Sequence, residues 1–221
     1  MENKLKLAIQ AMQNNELEEA ASLFAEFIEE YPENPVGYTN FGNLLLHMQD
    51  TERAQRFFAK AIELDPQAAT AHYGLGNLFY EQLLYTKAQN HLQQAIDLGL
   101  KEADVYYLLG MTFQQQGYHK LALPYLLRAA ELNTKEEEFL FQYGLSLAQC
   151  EHVKEAEEIF HKVLQLNQKH SDAYYNLGVI ALFREQVERA LNYFEEALRI
   201  QPDHILAANG RKNVQAYLHE S

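Results

Sequence analysis

The sequence predicts an all-α protein built as a linear array of helical repeats. Glycine recurs every 34 residues, and an alanine stands twelve residues after each of these glycines. A large apolar residue follows four positions beyond each alanine, so three residue types keep one register through five consecutive copies. A fixed period of this size indicates stacked helical units that share one extended core. The glycines are Gly42, Gly76, Gly110, Gly144 and Gly178, and the alanines are Ala54, Ala88, Ala122, Ala156 and Ala190.

The glycine register divides the chain into six units of 34 residues and a C-terminal remainder. In each unit, positions 4, 7, 8 and 11 share one helical face and positions 20, 24 and 27 share another. Polar turns separate the two faces, so each unit is predicted to be a pair of antiparallel helices. The remainder is predicted to be one capping helix, which makes thirteen helices in all. The units are 1–34, 35–68, 69–102, 103–136, 137–170 and 171–204, and the cap is 205–221.

Several residues predict where helices begin and end. Asn34 supplies an N-cap, followed by a proline at the first helical position. Gly99 is expected to end a helix in the left-handed conformation. Thr134 and Glu137 have the spacing of a capping box. Pro124 falls inside a second helix, and its expected place near the first turn predicts that the helix continues through it.

The glycine at position 8 predicts a close contact between the helices of one pair. Glycine in a helix interior costs about 1 kcal/mol relative to alanine, so its repetition at one position requires a packing reason. We expect position 8 to lie against the small residue at position 20, as Gly42 against Ala54. Phe58 at position 24 is then expected to fill the space beside them.

Together, an aromatic residue at position 4, Leu-Gly at 7–8, alanine at 20 and 27, phenylalanine at 24 and proline at 32 resemble the tetratricopeptide repeat. The resemblance covers residues 1–204. It implies a right-handed superhelical solenoid whose first helices line a concave groove through positions 2, 5, 6, 9, 12 and 13. The sixth unit carries the full pattern, with Tyr174, Leu177, Gly178, Ala190, Phe194, Ala197 and Pro202.

Composition and charge disfavour several classes of protein. The formal net charge is −13, whereas a nucleic-acid-binding surface needs a face rich in Lys and Arg. No apolar segment reaches the length of a membrane span. The single cysteine, Cys150, excludes an internal disulfide and suits a reducing compartment, so a cytoplasmic protein is expected. An RNA-binding helical repeat is the third interpretation and is disfavoured by the charge.

The sequence also predicts no enzyme and no cofactor. The few serines do not stand in a nucleophile elbow, and no glycine-rich phosphate loop occurs. Cys150 and His152, with His119 one repeat earlier, are the best metal candidates, but their spacing matches no recognised ligand pattern. We therefore predict no metal and interpret these three residues as solvated turn residues.

The groove implied by the resemblance carries amide, aromatic and acidic side chains. Amides can donate to and accept from a peptide backbone, and aromatic rings give contact area at low entropic cost. An alternative for the aromatic residues at position 5 is packing between neighbouring first helices. The predicted peptide-binding residues are Asn40, Asn43, Tyr73, Asn77, Tyr80, Asp104, Tyr107, Gln114, Glu138, Phe141, Gln142, Asp172, Tyr175 and Asn176.

Charge in this groove predicts a basic or neutral partner segment. Asp104, Glu138 and Asp172 stand at position 2, and no Lys or Arg occupies any groove position in units 2–6. Acids in the first turn also favour the helix dipole, and both roles are compatible. The family's carboxylate clamp needs basic residues at these positions and is absent. We predict a non-catalytic interaction scaffold that binds a peptide or helical segment. The alternative is a structural module that self-associates through its groove or ends.

Overall fold

The computed structural model describes residues 2–220, and the regular structure in this range consists of thirteen α-helices without a strand. The predicted all-α helical-repeat fold with a C-terminal capping helix is confirmed. The helices are α1 Glu2–Gln13, α2 Leu17–Glu30, α3 Pro35–His47, α4 Thr51–Leu64, α5 Ala69–Glu81, α6 Tyr85–Asp97, α7 Ala103–Gln115, α8 His119–Leu132, α9 Glu137–Gln149, α10 Val153–Leu166, α11 Ser171–Phe183, α12 Val187–Ile200 and α13 Ile205–Glu220. Among these helices none has both the length and the apolar character that a membrane crossing requires.

The chain forms two compact units, Met1–Gln116 and Gly117–Ser221. In the N-terminal unit, α1–α2, α3–α4 and α5–α6 pack as hairpins, and α7 packs on α6. The first helices α1, α3, α5 and α7 also contact one another in that order. In the C-terminal unit, α9–α10 and α11–α12 are hairpins, α8 packs on α9, and α13 packs on α12 and α11. Successive first helices of the N-terminal unit therefore adjoin one another.

Two of the expected helix ends, at Asn34 and Gly99, are confirmed. The Asn34 side chain accepts a hydrogen bond from the Val36 N–H at 3.0 Å, and α3 begins at Pro35. Gly99 follows α6 with φ +98°, the left-handed conformation that was predicted. Both signals act within one turn of chain, which is why the sequence alone predicts them.

The prediction of a capping box at Thr134 is wrong. Helix α9 begins only at Glu137, and the residue before it makes no side-chain cap hydrogen bond. The Asn133 side chain instead accepts from the Lys135 N–H at 3.3 Å, which stabilises a turn through Thr134. Because Thr134 belongs to that turn, it lies too far from the helix to cap it.

Pro124 lies inside α8, which continues to Leu132 as predicted. It is the sixth residue of the helix rather than a residue of the first turn, so the expected reason for its tolerance is wrong. A residue at this place would normally bond through its N–H to the carbonyl of Lys120, and proline has no N–H. The helix is therefore continuous but lacks one hydrogen bond.

The turn inside each 34-residue repeat, as the six sequence units 1–34 to 171–204 are called from here on, uses a left-handed residue at position 15. This conformation lets the chain reverse direction after a first helix, and for residues other than glycine it is unfavourable. Only the fourth repeat places glycine there. The six residues are Asn15, Gln49, Leu83, Gly117, Glu151 and Glu185.

The predicted stripe at positions 20, 24 and 27 forms the core of every repeat. In repeat 2, Ala54, Phe58 and Ala61 are fully buried, as are their equivalents in the other repeats. A Cβ built on Gly42 would lie 2.7 Å from Cε1 of Phe58, and the nearest atoms all belong to that ring rather than to Ala54. The residue nearest the glycine is therefore at position 24, which was expected only to fill the space beside positions 8 and 20. Its side chain is long enough to reach the first helix. The same relationship joins Gly76 to Leu92, Gly144 to Phe160 and Gly178 to Phe194.

Candidate peptide-binding surface

The predicted groove residues lie on first helices of both compact units. The N-terminal patch is carried by α3, α5 and α7, which contact one another. The C-terminal patch is carried by α9 and α11. The N-terminal patch contains Asn40, Asn43, Tyr73, Asn77, Tyr80, Asp104, Tyr107 and Gln114, and the C-terminal patch contains Glu138, Phe141, Gln142, Asp172, Tyr175 and Asn176.

Tyr73 and Asp104 come together in the N-terminal patch. Tyr73 on α5 is partly buried, and Asp104 on α7 is exposed. Burial, together with the smaller effects of the negative charges of Asp104 and Glu102, raises the pKa of Tyr73 to about 12. The phenol therefore stays protonated as a hydrogen-bond donor beside an exposed carboxylate. This pair offers a ligand both a donor and a negative charge.

Tyr80 is held by its neighbours. Its ring centroid lies 5.8 Å from that of Tyr85, and the Gln115 side chain donates a hydrogen bond to its hydroxyl. Burial raises the pKa of Tyr80, which keeps this hydroxyl protonated as well. The ring is therefore fixed in place before any ligand arrives, which lowers the entropic cost of using it as a contact.

The predicted amides fall into two groups. Asn43 and Asn77 make no side-chain hydrogen bond within residues 2–220, so both donors and the acceptor of each are available. In contrast, the Asn40 amide donates to the carbonyl of Val36 at 2.9 Å, one turn earlier in its own helix. The Asn176 amide makes the equivalent bond to the carbonyl of Asp172, one turn earlier in its own helix, at 2.8 Å. The first group is therefore better suited to bind a peptide backbone than the second.

The C-terminal patch is less open than the N-terminal one. Phe141 is buried, with ring centroids of Phe160 at 5.8 Å and His170 at 4.4 Å. Tyr175 is half-buried and lies 5.9 Å from the ring of Phe194. Both aromatic residues at position 5 thus contact the second helix of their own repeat, whereas the alternative for this position predicts packing between neighbouring first helices. The Gln142 amide donates to Glu138 Oε1 at 2.7 Å, so these two side chains bind each other.

The sequence did not predict that Asp172 is held by the capping helix. His204 is buried, and its Nδ1 accepts from the Ala207 N–H at 3.2 Å, where it acts as the N-cap of α13. Its other nitrogen, Nε2, therefore carries the proton of the neutral ring and donates to Asp172 Oδ1 at 3.1 Å. In the sequence, the only sign of this arrangement is that a histidine stands at position 34 in both repeat 5 and repeat 6. His170 caps α11 in the same way.

Apolar groove positions in repeat 6 were also missed. Val179, Leu182 and Phe183 stand at positions 9, 12 and 13, and all three are exposed, Phe183 to 74%. A cavity of about 680 Å³ lies beside them and is lined by Val179 and Phe183 together with Ala148 and Val153. The run of apolar residues at groove positions is visible in the sequence and could have identified this area.

The three metal candidates do not form a site. His119 and Cys150 line one small cavity of about 320 Å³, and His152 lines a different one. Within residues 2–220 no three His, Cys, Asp or Glu side chains are placed to hold a metal ion together.

Comparison with known proteins gives matches along most of the chain. Tetratricopeptide repeat models match residues 2–34, 23–56, 103–136 and 171–204, and a TPR repeat model matches 42–82. The crystal structure of YrrB is 41% identical over 87% of this chain and 99% of YrrB, with a TM-score of 0.83. The chain belongs to the tetratricopeptide repeat family. YrrB is described as a TPR protein with an unusual peptide-binding site.

Two further structures show the same fold at lower identity. MamA is 23% identical and aligns over 77% of this chain and 93% of its own, with a TM-score of 0.71. PilF of Pseudomonas aeruginosa is 18% identical over 97% of this chain and 96% of its own, with a TM-score of 0.79. No curated protein sequence matches the chain.

Membership of this family decides the general role. Tetratricopeptide repeats are protein-interaction modules and are generally non-catalytic. This tetratricopeptide protein is therefore a scaffold for protein–protein interaction, as the sequence predicted in general terms.

Proposed function

We propose that this tetratricopeptide protein binds a basic or neutral segment of a partner protein along the surface of its first helices. The observation that carries the proposal is the pair of free amides on adjoining helices, Asn43 on α3 and Asn77 on α5. A peptide bond has one donor and one acceptor, and a free asparagine amide can satisfy both. Tyr73, one turn before Asn77 on α5, and Asp104 on the contacting helix α7 add a donor and a negative charge.

Charge supports the choice of partner. Asp104 and Asp172 are exposed, and the whole chain carries a formal charge of −13. A segment with Lys or Arg is attracted by this field, whereas an acidic tail finds no cation at the groove positions of repeats 2–6. The likeness to YrrB, a protein with a peptide-binding site, also supports a peptide ligand. The single cysteine fits the reducing cytoplasm that we propose as its compartment.

A matched pair of labelled synthetic peptides tests the proposal by fluorescence anisotropy. The two peptides share length and apolar residues and differ only in carrying lysines or glutamates at the same positions. The lysine peptide is expected to bind more tightly, with an affinity that falls as salt is added. Asp104→Lys with Glu138→Lys should weaken it, and Asn77→Ala should weaken it equally at every salt concentration.

The control variant, Glu18→Lys with Glu195→Lys, makes the same change in net charge but at residues of second helices. Both control residues are exposed and lie outside the groove positions. This variant should retain more affinity for the lysine peptide than the groove variant does. Equal affinity for the two peptides, or equal loss in the two charge variants, would contradict the proposal.

Self-association is the second candidate function, and the exposed apolar residues of the C-terminal unit favour it. Phe183 is 74% exposed and Tyr217 on α13 is 60% exposed. Surfaces of this kind often mark contacts between proteins. Sedimentation velocity over a wide range of protein concentration tests this function, with Phe183→Asp as the variant. A monomer at every concentration removes self-association, whereas a dimer abolished by the variant supports it.

A further inference from the structure

A second cavity lies away from the groove surface, between the second helices α8 and α10 of the C-terminal unit. Its volume is about 380 Å³. None of the predicted peptide-binding residues lines it. Its apolar lining consists of Leu127, Ala130, Leu140, Tyr143, Ile159 and Leu166, and its polar lining consists of Glu131, Thr134, Lys162 and Gln165.

Repeats 2, 3 and 6 fill the equivalent place with a pair of rings at positions 4 and 23. In repeat 2 the ring centroids of Tyr38 and Phe57 lie 5.9 Å apart. The pairs His72–His91 in repeat 3 and Tyr174–Tyr193 in repeat 6 lie 5.4 and 6.4 Å apart. In repeat 5 the same two positions are Leu140 and Ile159, and both line the cavity. Repeat 5 therefore lacks the ring pair, as does repeat 1, which has Lys4 and Leu23 at these positions.

A third position also carries a smaller residue. Position 28 is isoleucine or leucine in five of the six repeats, and it is Ala130 in repeat 4. Since protein interiors are close-packed, the loss of these side chains leaves space unless a neighbour moves into it. Phe139 replaces the glycine that repeat 2 has at position 3, but it does not line the cavity. The space therefore remains open.

The other repeats also show which polar group belongs at this place. The hydroxyl of Tyr38 donates to the carbonyl of Pro32, the residue at position 32 of the preceding repeat, at 3.0 Å. His72 in repeat 3 faces the carbonyl of Pro66, the equivalent residue. In repeat 5, Leu140 has no donor, and the residue at the equivalent position is Thr134, which lines the cavity.

We propose that this cavity binds a tyrosine side chain of a partner protein. The ring takes the place of the missing aromatic residue at position 4, and the hydroxyl donates to the backbone carbonyl of Thr134. A side chain presented by a protein fits better than a free phenol, because apolar surface extends beyond the space for one ring. Leu127 and Leu166 on the two second helices are 39% and 46% exposed, and they offer contacts to residues that flank the tyrosine.

Methyl NMR of the full chain tests the site with three probes. They are the capped tripeptide Leu-Tyr-Leu, the capped tripeptide Leu-Phe-Leu and p-cresol. Leu-Tyr-Leu is expected to shift the methyl signals of Leu140 and Ile159 in a saturable way. Leu-Phe-Leu should shift the same signals with about fivefold weaker affinity, the effect of one neutral hydrogen bond. The free phenol should bind at least about tenfold more weakly than Leu-Tyr-Leu, because it lacks the flanking leucines.

A filled cavity provides the decisive variant. Leu140→Tyr restores the residue type that repeats 2, 4 and 6 carry, and it should abolish the shifts of Ile159. Ala130→Ile restores position 28 and serves as a second filling variant. Leu121→Tyr is the matched control, because Leu121 is an exposed residue of α8 that does not line this cavity, and it should leave binding unchanged.

Three results would overturn the proposal. These are the absence of saturable shifts in the wild type, unchanged binding in both filled variants that remain folded, and equal affinity for the tyrosine and phenylalanine peptides. Equal affinity for p-cresol and Leu-Tyr-Leu would overturn the assignment to a protein partner. Failure of the groove peptides tested above has no bearing on these outcomes, because the two surfaces share no residue.

Discussion

Gly74 on α5 lies directly against the ring edge of Phe58 on α4, so a Cβ at Gly74 would overlap the ring. Gly42 on α3 approaches the same ring edge, with a built Cβ 2.7 Å from Cε1. The Phe58 side chain is fully buried. One aromatic ring of repeat 2 therefore depends on glycines in two successive first helices. Phe194 has the same relationship with Gly178 and with Gly210 of the capping helix.

Gly74→Ala is predicted to destabilise the protein by about 1–3 kcal/mol through overpacking against Phe58. Helix propensity alone predicts the opposite, a gain of about 1 kcal/mol. Chemical denaturation measures the difference. In the double variant with Phe58→Leu, which copies Leu92 of repeat 3, the loss should be smaller than the sum of the two single losses. A more stable Gly74→Ala protein would contradict the packing described here.

The partly buried pair His72 and His91 is predicted to make stability depend on pH. Their Nδ1 atoms lie 3.2 Å apart. Burial lowers the pKa of His72 from 6.5, and burial together with the neighbouring histidine lowers the pKa of His91. The unfolded chain therefore takes up protons first as the pH falls below about 6.5. Stability from the neutral pair is complete above that pH and decreases below it, until the folded pKa values are reached.

The double variant His72→Tyr with His91→Phe isolates this effect, because it copies the pair Tyr38–Phe57 of repeat 2. The free energy of unfolding is measured from pH 8 to pH 5 for both proteins. The wild type should lose more stability than the variant between about pH 6.5 and pH 5. Parallel curves would show that the pair does not titrate differently on unfolding.

Glu157→Gln is predicted to cost about 1–3 kcal/mol, between the values for exposed and buried ion pairs. On α10, Glu157 Oε2 lies 2.5 Å from Nη1 of Arg184, and Glu157 Oε1 lies 3.2 Å from Nη2 of Arg189. The Glu157 side chain is 16% exposed. The substitution leaves two guanidinium groups facing a neutral amide. Glu196→Gln is the control, because its pair with Arg199 is exposed and should contribute less than about 0.5 kcal/mol. Equal losses in thermal unfolding would show that burial of Glu157 has no effect.

Pro124→Ala is predicted to stabilise the protein by up to about 3 kcal/mol. Pro124 is exposed inside α8, so alanine restores a helix hydrogen bond without removing a buried contact. Pro35→Ala is the matched control, because Pro35 occupies the first position of α3, where no helix hydrogen bond is lost. The control should give no gain. A loss of stability in Pro124→Ala would mean that the proline holds α8 in a conformation that its packing requires.

Much of the fold was predictable because its signals are local and are repeated. The 34-residue period follows from the recurrence of glycine and alanine in one register, and the helix pairs and the buried stripe Ala54, Phe58 and Ala61 follow from helical periodicity within each copy. The cap at Asn34 follows from the chemistry of one turn. The candidate groove residues were assigned to first helices, and the structure places all of them there.

The sequence by itself thus determined which residues share a helical face, since that depends only on 3.6 residues per turn. Tertiary structure decided what lies opposite each face. It alone shows that Gly42 contacts Phe58, that Phe141 is buried, and that His204 holds Asp172 from 32 residues away. It alone shows the cavity beside Leu140. These contacts depend on side-chain length and on the packing of helices that are distant in the chain, and no local pattern encodes either of them.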